Sequence, residues 1–190
     1  MPYACGRSPD IHDGGTAGPL HTSSSTTILP AIERTPRSVK ALLRSYAVAD
    51  GGKGSVSDAA AQESEYWKKQ KAPMQGVNIV DGSGLSRQNR VTARFMAHVL
   101  AERSENPYYA SFFPLAGQEG TLRSFLAETP LEGYVALKTG SMKGIQCYAG
   151  YKLDDNYAPT HIIVVMMNEM TNRTAAREGL KKALLTVFEQ

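Results

Sequence analysis

The chain has 190 residues, with 21 Lys and Arg against 18 Asp and Glu, a formal charge of +3 and 42% hydrophobic residues. That length suits one domain with a real core, the composition is that of a soluble globular protein, and the scattered basic residues make no patch for nucleic acid. No apolar run approaches the roughly 20 residues that cross a bilayer, and the start, "MPYACGRSPDIHDGG", has neither the basic nor the apolar segment of an export signal, so the chain as written is expected in the cytoplasm.

Residues 1–37 are rich in Ser, Thr, Pro and Gly, as in "TAGPLHTSSSTTILPAIERTPR", and show little periodicity, which predicts loop or disorder. From Ser38 the pattern changes. "SVKALLRSYAVA" predicts a short helix stopped by Asp50-Gly51-Gly52. "SVSDAAAQESEYWKKQ" predicts a second, with Ser55 and Asp58 as a capping pair, Ala60, Ala61, Ser64 and Trp67 as a loose stripe, and Lys68 and Lys69 near its C-terminus. Val77–Val80 reads as a short strand running into a Gly-rich turn. "VTARFMAHVLAER" is a helix capped by Thr92, with Phe95, Met96, Val99 and Leu100 on one face. A helical turn before Pro114 and another at "TLRSFLAE", capped by Thr121, follow.

The last third is mainly strand. "GYVALKTG" and "GIQCYAGYKL" are candidates, and "HIIVVMMNEM", the most apolar run, predicts a central strand. The C-terminal helix places Ala176, Leu180, Leu184 and Phe188 on one face. Helices, then antiparallel strands, then a closing helix make a mixed α+β architecture, an antiparallel sheet with packed helices.

Chemistry has few places to sit. Cys5 and Cys147 form no Cys-x-x-Cys and no disulfide framework, so neither a metal nor a cofactor is expected. "DGGKGS" lacks the spacing of a phosphate loop. His12, His21, His98 and His161 suggest no Ser-His-Asp system. In "DGSGLSRQNR", Asp81, Ser83 and Ser86 surround a turn. The two serines are candidate nucleophiles without the Gly-x-Ser-x-Gly elbow, and the plainer reading is a turn whose polar side chains satisfy the backbone. In "LKTG", alternation puts Lys138 and Gly140 on one face and Thr139 on the other. Lysine offers a charge for a carboxylate, threonine a hydroxyl donor, and glycine room for a ligand backbone. Taken alone, a strand running into a turn would look the same.

In this order and spacing, "NIVDGSGLSRQNRVTARFMAHVL", "FFPLAGQEGTLRSFL" and "VALKTGSMKGIQCYAGY" resemble the serine D-alanyl-D-alanine carboxypeptidases of the class C penicillin-binding type, over about residues 38–190. The resemblance implies the C-terminal part of a β-lactamase/transpeptidase-like fold, with helices on both faces of the sheet. It implies peptidoglycan stem peptides as substrate, β-lactams as mimics of them, and work in the periplasm or cell envelope. It gives Lys138 a catalytic role and makes Thr139, Gly140 and Ser141 substrate-binding residues, with Lys138, Thr139 and Gly140 holding the terminal carboxylate and Asp81, Ser83 and Ser86 in a turn near the site. The family's nucleophile motif, Ser-x-x-Lys, occurs nowhere in these residues. Where its Ser-x-Asn is expected stand Arg34, Thr35 and Pro36, or with a gap Ser38, Val39 and Lys40. The resemblance therefore implies a carboxypeptidase or endopeptidase whose nucleophile is not among these residues. The alternatives are a non-catalytic peptide-binding module and an inactive remnant.

Overall fold

A computed structural model describes residues 36–49, 51–106 and 108–188. Cys5, His12, His21 and the 1–37 segment up to Thr35 lie outside the described residues. Contacts sort the chain into two compact units. The first holds the described residues up to Lys69 together with Asn78–Arg90, and the second holds Gln70–Val77 and the described residues from Val91 onward.

The first unit is helical. Helix α1 (Pro36–Ala49) packs on α2 (Val56–Lys69) through Leu43, Ala47 and Ala59. Ser55 Oγ accepts the Asp58 amide at 3.0 Å and so starts α2, as expected of a cap. The reciprocal half of the capping pair is not made, because Asp58 Oδ2 accepts the Lys53 amide at 2.6 Å instead and closes the preceding loop. Of the expected stripe of α2, Ala60 and Trp67 are buried, Ser64 is half-buried and Ala61 is exposed, with Ala59 buried in its place.

The second unit is a three-stranded antiparallel sheet with a helix on each face. Its strands are β1 (Val135–Met142), β2 (Ile145–Leu153) and β3 (Pro159–Met167), in the order β1-β2-β3. Among the described residues "HIIVVMM" is therefore an outer strand rather than a central one. Its apolar character comes from packing on both faces, which periodicity cannot distinguish from a central position. One face carries Val135, Leu137, Tyr148 and Ile163, buried with Leu180 and Leu184 of the closing helix α4 (Arg173–Phe188) and with Leu122, Phe125, Leu126 and Leu131 of the loop before β1. The other carries Ala136, Tyr151 and Leu153, which pack with Leu100 of α3 (Ala93–Ser104) and with Tyr109, Ala110 and Phe113 around the short helical turn Ala110–Phe112. Thr92 caps α3 as expected, its Oγ1 accepting the Phe95 amide at 3.1 Å. Tyr151 ties the layers together: its hydroxyl donates to the Leu100 carbonyl at 2.7 Å.

Two expected elements are absent. Val77–Val80 is no strand: it makes one isolated bridge, Asn78 to Arg90. "TLRSFLAE" forms only the turn Gly120–Leu122, in which Thr121 caps nothing. The chain there is bound instead to its neighbours, with Gly117 N–H donating to Leu122 O and Gly120 at φ +50°.

Candidate functional site

Strand β1 changes character along its length. Val135, Ala136 and Leu137 are completely buried, whereas Lys138, Gly140 and Ser141 are exposed and Thr139 is half-buried. Burying an apolar side chain such as Val135 or Leu137 contributes roughly 1.5–3 kcal/mol, so the first half fixes the strand and the second projects from the core as a rigid extension. The register confirms the alternation read from sequence. Lys138 and Gly140 face the α3 side opposite Ala149 and Cys147, and Thr139 and Ser141 face the α4 side opposite Tyr148 and Gln146.

The outer edge of β1 is covered only at its start. Ala116 N–H donates to Val135 O at 2.8 Å, and Leu137 N–H donates to Pro114 O at 3.1 Å. The pleat repeats every two residues, so the amide and carbonyl of Thr139 and the amide of Ser141 point along this same edge, past the covering loop. Lys138 Nζ donates to the Thr139 carbonyl at 2.6 Å, which brings its ammonium to the edge. Thr139 Oγ1 is 2.8 Å from Thr121 Oγ1. Beside Thr139, fully buried Tyr148 stacks on Phe125 with centroids 5.5 Å apart, and the Arg177 guanidinium covers Phe125 at 4.9 Å. The result is a positive charge, a hydroxyl and outward backbone groups on a firm aromatic base.

Gly140 has no internal reason to be glycine. A Cβ built there meets only the Cys147 Cβ, at 3.7 Å, an ordinary contact, and its φ is not left-handed. Cys147 is a free thiol whose pKa burial pushes up, against a hydrogen bond from Met167, so it is a poor nucleophile.

Asp81, Ser83 and Ser86 belong to the first unit, while Lys138–Ser141 belong to the second. Asp81 organises its turn. Its carboxylate accepts from the Gly84 amide at 2.9 Å, the Ser86 amide at 3.1 Å and Asn89 Nδ2 at 3.1 Å. Asn89 Oδ1 in turn accepts from the Val80 and Asp81 amides. Partial burial raises the Asp81 pKa, but the hydrogen bonds from Asn89, Gly84 and Ser86 outweigh it and hold the carboxyl below the usual range. Ser86 Oγ accepts the Gln88 amide at 3.2 Å. These contacts match the plainer reading of the turn for Asp81 and Ser86, whereas the buried Ser83 Oγ bonds no backbone group.

The sequence reading overlooked two features. Thr121, expected as a cap, is joined by the structure to Thr139. Ser104-Glu105-Asn106 spells Ser-x-Asn at the end of α3, but Ser104 Oγ donates to Ala101 O and Asn106 Oδ1 accepts the Tyr108 amide. Ser104 thus bonds within the last turn of the helix and Asn106 within the turn that follows it. A shallow hollow of about 530 Å³ at the other end of β1 is lined by Tyr134, Lys152, Asp155 and Phe188 and contains none of the candidate residues. Lys152 there is engaged by the Tyr134 ring and the Leu153 carbonyl. Among the described residues no cluster of His, Cys, Asp and Glu could hold a metal ion, and no helix is long and apolar enough to cross a membrane.

Comparison with known proteins finds relatives of this chain. The chain is 33% identical over 107 residues to a penicillin-sensitive carboxypeptidase A of Dictyostelium discoideum, covering 52% of this chain and 20% of the relative. It is 41% identical over 78 residues to a D-alanyl-D-alanine carboxypeptidase of Haemophilus influenzae, covering 38% of this chain and 16% of the relative. Its fold matches the crystal structure of Haemophilus influenzae penicillin binding protein 4 complexed with a novel β-lactam, with a TM-score of 0.70 and 25% identity over 80% of this chain and 38% of that one. The chain thus spans a fifth or less of the length of these curated relatives. The sequence model of the D-Ala-D-Ala carboxypeptidase 3 (S13) family matches residues 38–188, and the chain belongs to that family.

Proposed function

We propose that this chain supplies the substrate-carboxylate side of a serine-type D-alanyl-D-alanine carboxypeptidase or endopeptidase acting on peptidoglycan stem peptides in the cell envelope. The observation that carries the reading is the exposed half of β1. Lys138 and Thr139 stand at a strand edge with outward backbone groups, beside a Gly140 that the fold does not require. A peptide ending in a carboxylate lies along such an edge by strand addition. Its carboxylate meets the Lys138 ammonium and the Thr139 hydroxyl, and its backbone passes over Gly140.

In the chemistry this implies, a serine oxygen attacks the carbonyl between the two D-alanines. The C–N bond breaks, D-alanine leaves with a proton, and water then releases the acyl group from the serine. No Ser-x-x-Lys lies within these 190 residues, so the role proposed for them is recognition. The residues would hold the carboxylate and fix the peptide, and the nucleophile is not among them. A β-lactam, as a mimic of the dipeptide, would be held by the same groups without acylating this chain.

The test is titration of the 15N-labelled chain with N-acetyl-D-alanyl-D-alanine. Amide shifts centred on Lys138–Ser141 support the reading, and shifts elsewhere or none at millimolar peptide overturn it. Intact mass after incubation with penicillin is expected to stay unchanged, and a gain of one penicillin on any serine would show a nucleophile this reading does not contain.

A further inference from the structure

Thr139 is the one hydroxyl in the proposed carboxylate site that the structure ties to a second side chain. Its Oγ1 lies 2.8 Å from Thr121 Oγ1. Both ends of this contact are held. Thr139 follows the three buried residues of β1, across from buried Tyr148. Thr121 precedes completely buried Leu122, whose amide donates to Glu119 O and whose carbonyl accepts from Gly117 N–H. The loop is bonded to the start of β1 on either side, with Ala116 N–H donating to Val135 O at 2.8 Å and Gly133 N–H to Ala116 O at 2.9 Å. The contact is exposed and would give way to water if either end were loose. Here the backbone presents the two hydroxyls to each other.

A hydroxyl has one proton to donate, and two lone pairs with which to accept. A carboxylate only accepts. When Thr139 donates to a carboxylate, its proton is committed outward, and the hydrogen bond between the threonines then requires Thr121 as donor. The chain of bonds runs Thr121 O–H to Thr139 O–H to the carboxylate, and each bond polarises the next.

We propose that Thr121 is a positioning residue: its hydroxyl holds the Thr139 rotamer and donates into it, so that the Thr139 proton is turned toward the carboxylate of a bound peptide. This rests on the carboxylate-binding reading of β1. It adds a residue outside the Lys-Thr-Gly run and a direction for the proton.

The experiment uses the full chain, with Thr121→Val, which keeps the shape without the hydroxyl, and Thr121→Ser, which restores it. Three-bond couplings from the amide nitrogen and the carbonyl carbon to the Thr139 methyl carbon report its χ1 without any ligand. One rotamer is expected in the parent chain and in Thr121→Ser, and averaged couplings in Thr121→Val. Couplings unchanged in Thr121→Val overturn the proposal. The affinity for N-acetyl-D-alanyl-D-alanine is expected to fall roughly three- to tenfold in Thr121→Val and to return in Thr121→Ser, while the weaker affinity for the C-terminal amide of the same peptide stays level. Equal loss for acid and amide would mean a general structural effect and would also overturn it. If the parent chain binds neither peptide, the carboxylate-site reading fails, and with it the donation to a ligand, while the couplings separately decide whether Thr121 sets the Thr139 rotamer.

Discussion

Gly140 lies across from Cys147 in the pairing of β1 and β2, and a Cβ built on Gly140 would stand 3.7 Å from the Cys147 Cβ. The fold has room for that carbon. Gly150, on the neighbouring strand, has none: a Cβ there would stand 2.1 Å from the Ala136 carbonyl oxygen and 3.0 Å from Leu137 Cα, both backbone atoms that cannot turn aside. Packing therefore requires a glycine at 150 and not at 140. Gly140→Ala is expected to melt within about 0.5 kcal/mol of the parent and to lose peptide binding roughly tenfold or more, as the methyl fills the space over which the peptide passes. Gly150→Ala is expected to cost about 3 kcal/mol in stability. Thermal melts and the peptide titration on both variants check this. A Gly140→Ala chain that unfolds early, or that binds peptide normally, would remove the case for a ligand at Gly140.

Lys138 is exposed and donates to the carbonyl of its own neighbour, Thr139. Such a contact adds little to stability, so Lys138→Met is expected to shift the unfolding free energy by no more than about 0.5 kcal/mol. Its charge matters for an anionic ligand. Peptide binding by the parent is expected to weaken as salt is raised, because the pair is open to solvent. Binding by Lys138→Met is expected to be weaker by roughly tenfold and nearly independent of salt. An equal salt dependence in both chains would place the attraction elsewhere.

Tyr151 carries a different kind of load. Its hydroxyl, on a completely buried ring, donates to Leu100 O at 2.7 Å and fastens α3 to the sheet. Tyr151→Phe leaves that carbonyl without its side-chain donor and is expected to cost about 1 kcal/mol. Burial, with a smaller contribution from Tyr109, pushes the Tyr151 phenol well above its ordinary pKa of 10.0, and burial likewise raises Tyr109. The unfolded chain therefore releases these protons first. By linkage, the contribution of these two phenols is constant below about pH 10 and is lost as the pH rises beyond it. Denaturant melts from pH 8 to about pH 11 check this, and Tyr151→Phe is expected to shallow the alkaline decline.

The sequence was most legible where one periodicity met one burial pattern. Phe95, Val99 and Leu100 on α3, and Leu180 and Leu184 on α4, fell on the faces that helical spacing assigned to them. Strand alternation alone puts Lys138 and Thr139 on opposite faces, and the register of β1 agrees. It was least legible where long-range bonds replace local pattern. Val77–Val80 has strand-like residues, but its partner is the Asp81–Asn89 hydrogen-bond network, which no local propensity records. Thr121 stands before an apolar run as a cap would. Its partner is Thr139, 18 positions away, and only the pairing of the loop with β1 reveals it. The Lys-Thr-Gly run could be read from type and order, but the openness of Gly140 could not. Whether a glycine is needed depends on what its missing Cβ would touch.

Asp81 gives the last prediction, in the first unit. Two backbone amides and Asn89 converge on its carboxylate, and Gly82 beside it lies against Leu43 of α1, where a Cβ would stand 2.9 Å from Leu43 Cδ2. Asp81→Asn replaces one accepting oxygen by an NH2 that faces a donor. The expected cost is about 1–2 kcal/mol, with faster hydrogen exchange at the Ser86 amide, because the oxygen that Asn keeps is expected in the Oδ1 place, which serves both Gly84 and Asn89. The sign of the pH effect follows from the lowered carboxyl pKa. The unfolded Asp takes up its proton near its ordinary value of 3.8 and the folded one only at lower pH. The contribution is complete above the unfolded value and disappears as the pH falls through the folded one. Urea melts between pH 7 and about pH 3 are expected to show a shallower acid decline in Asp81→Asn than in the parent. Parallel declines, with unchanged exchange at Ser86, would mean that Asp81 does not hold the turn.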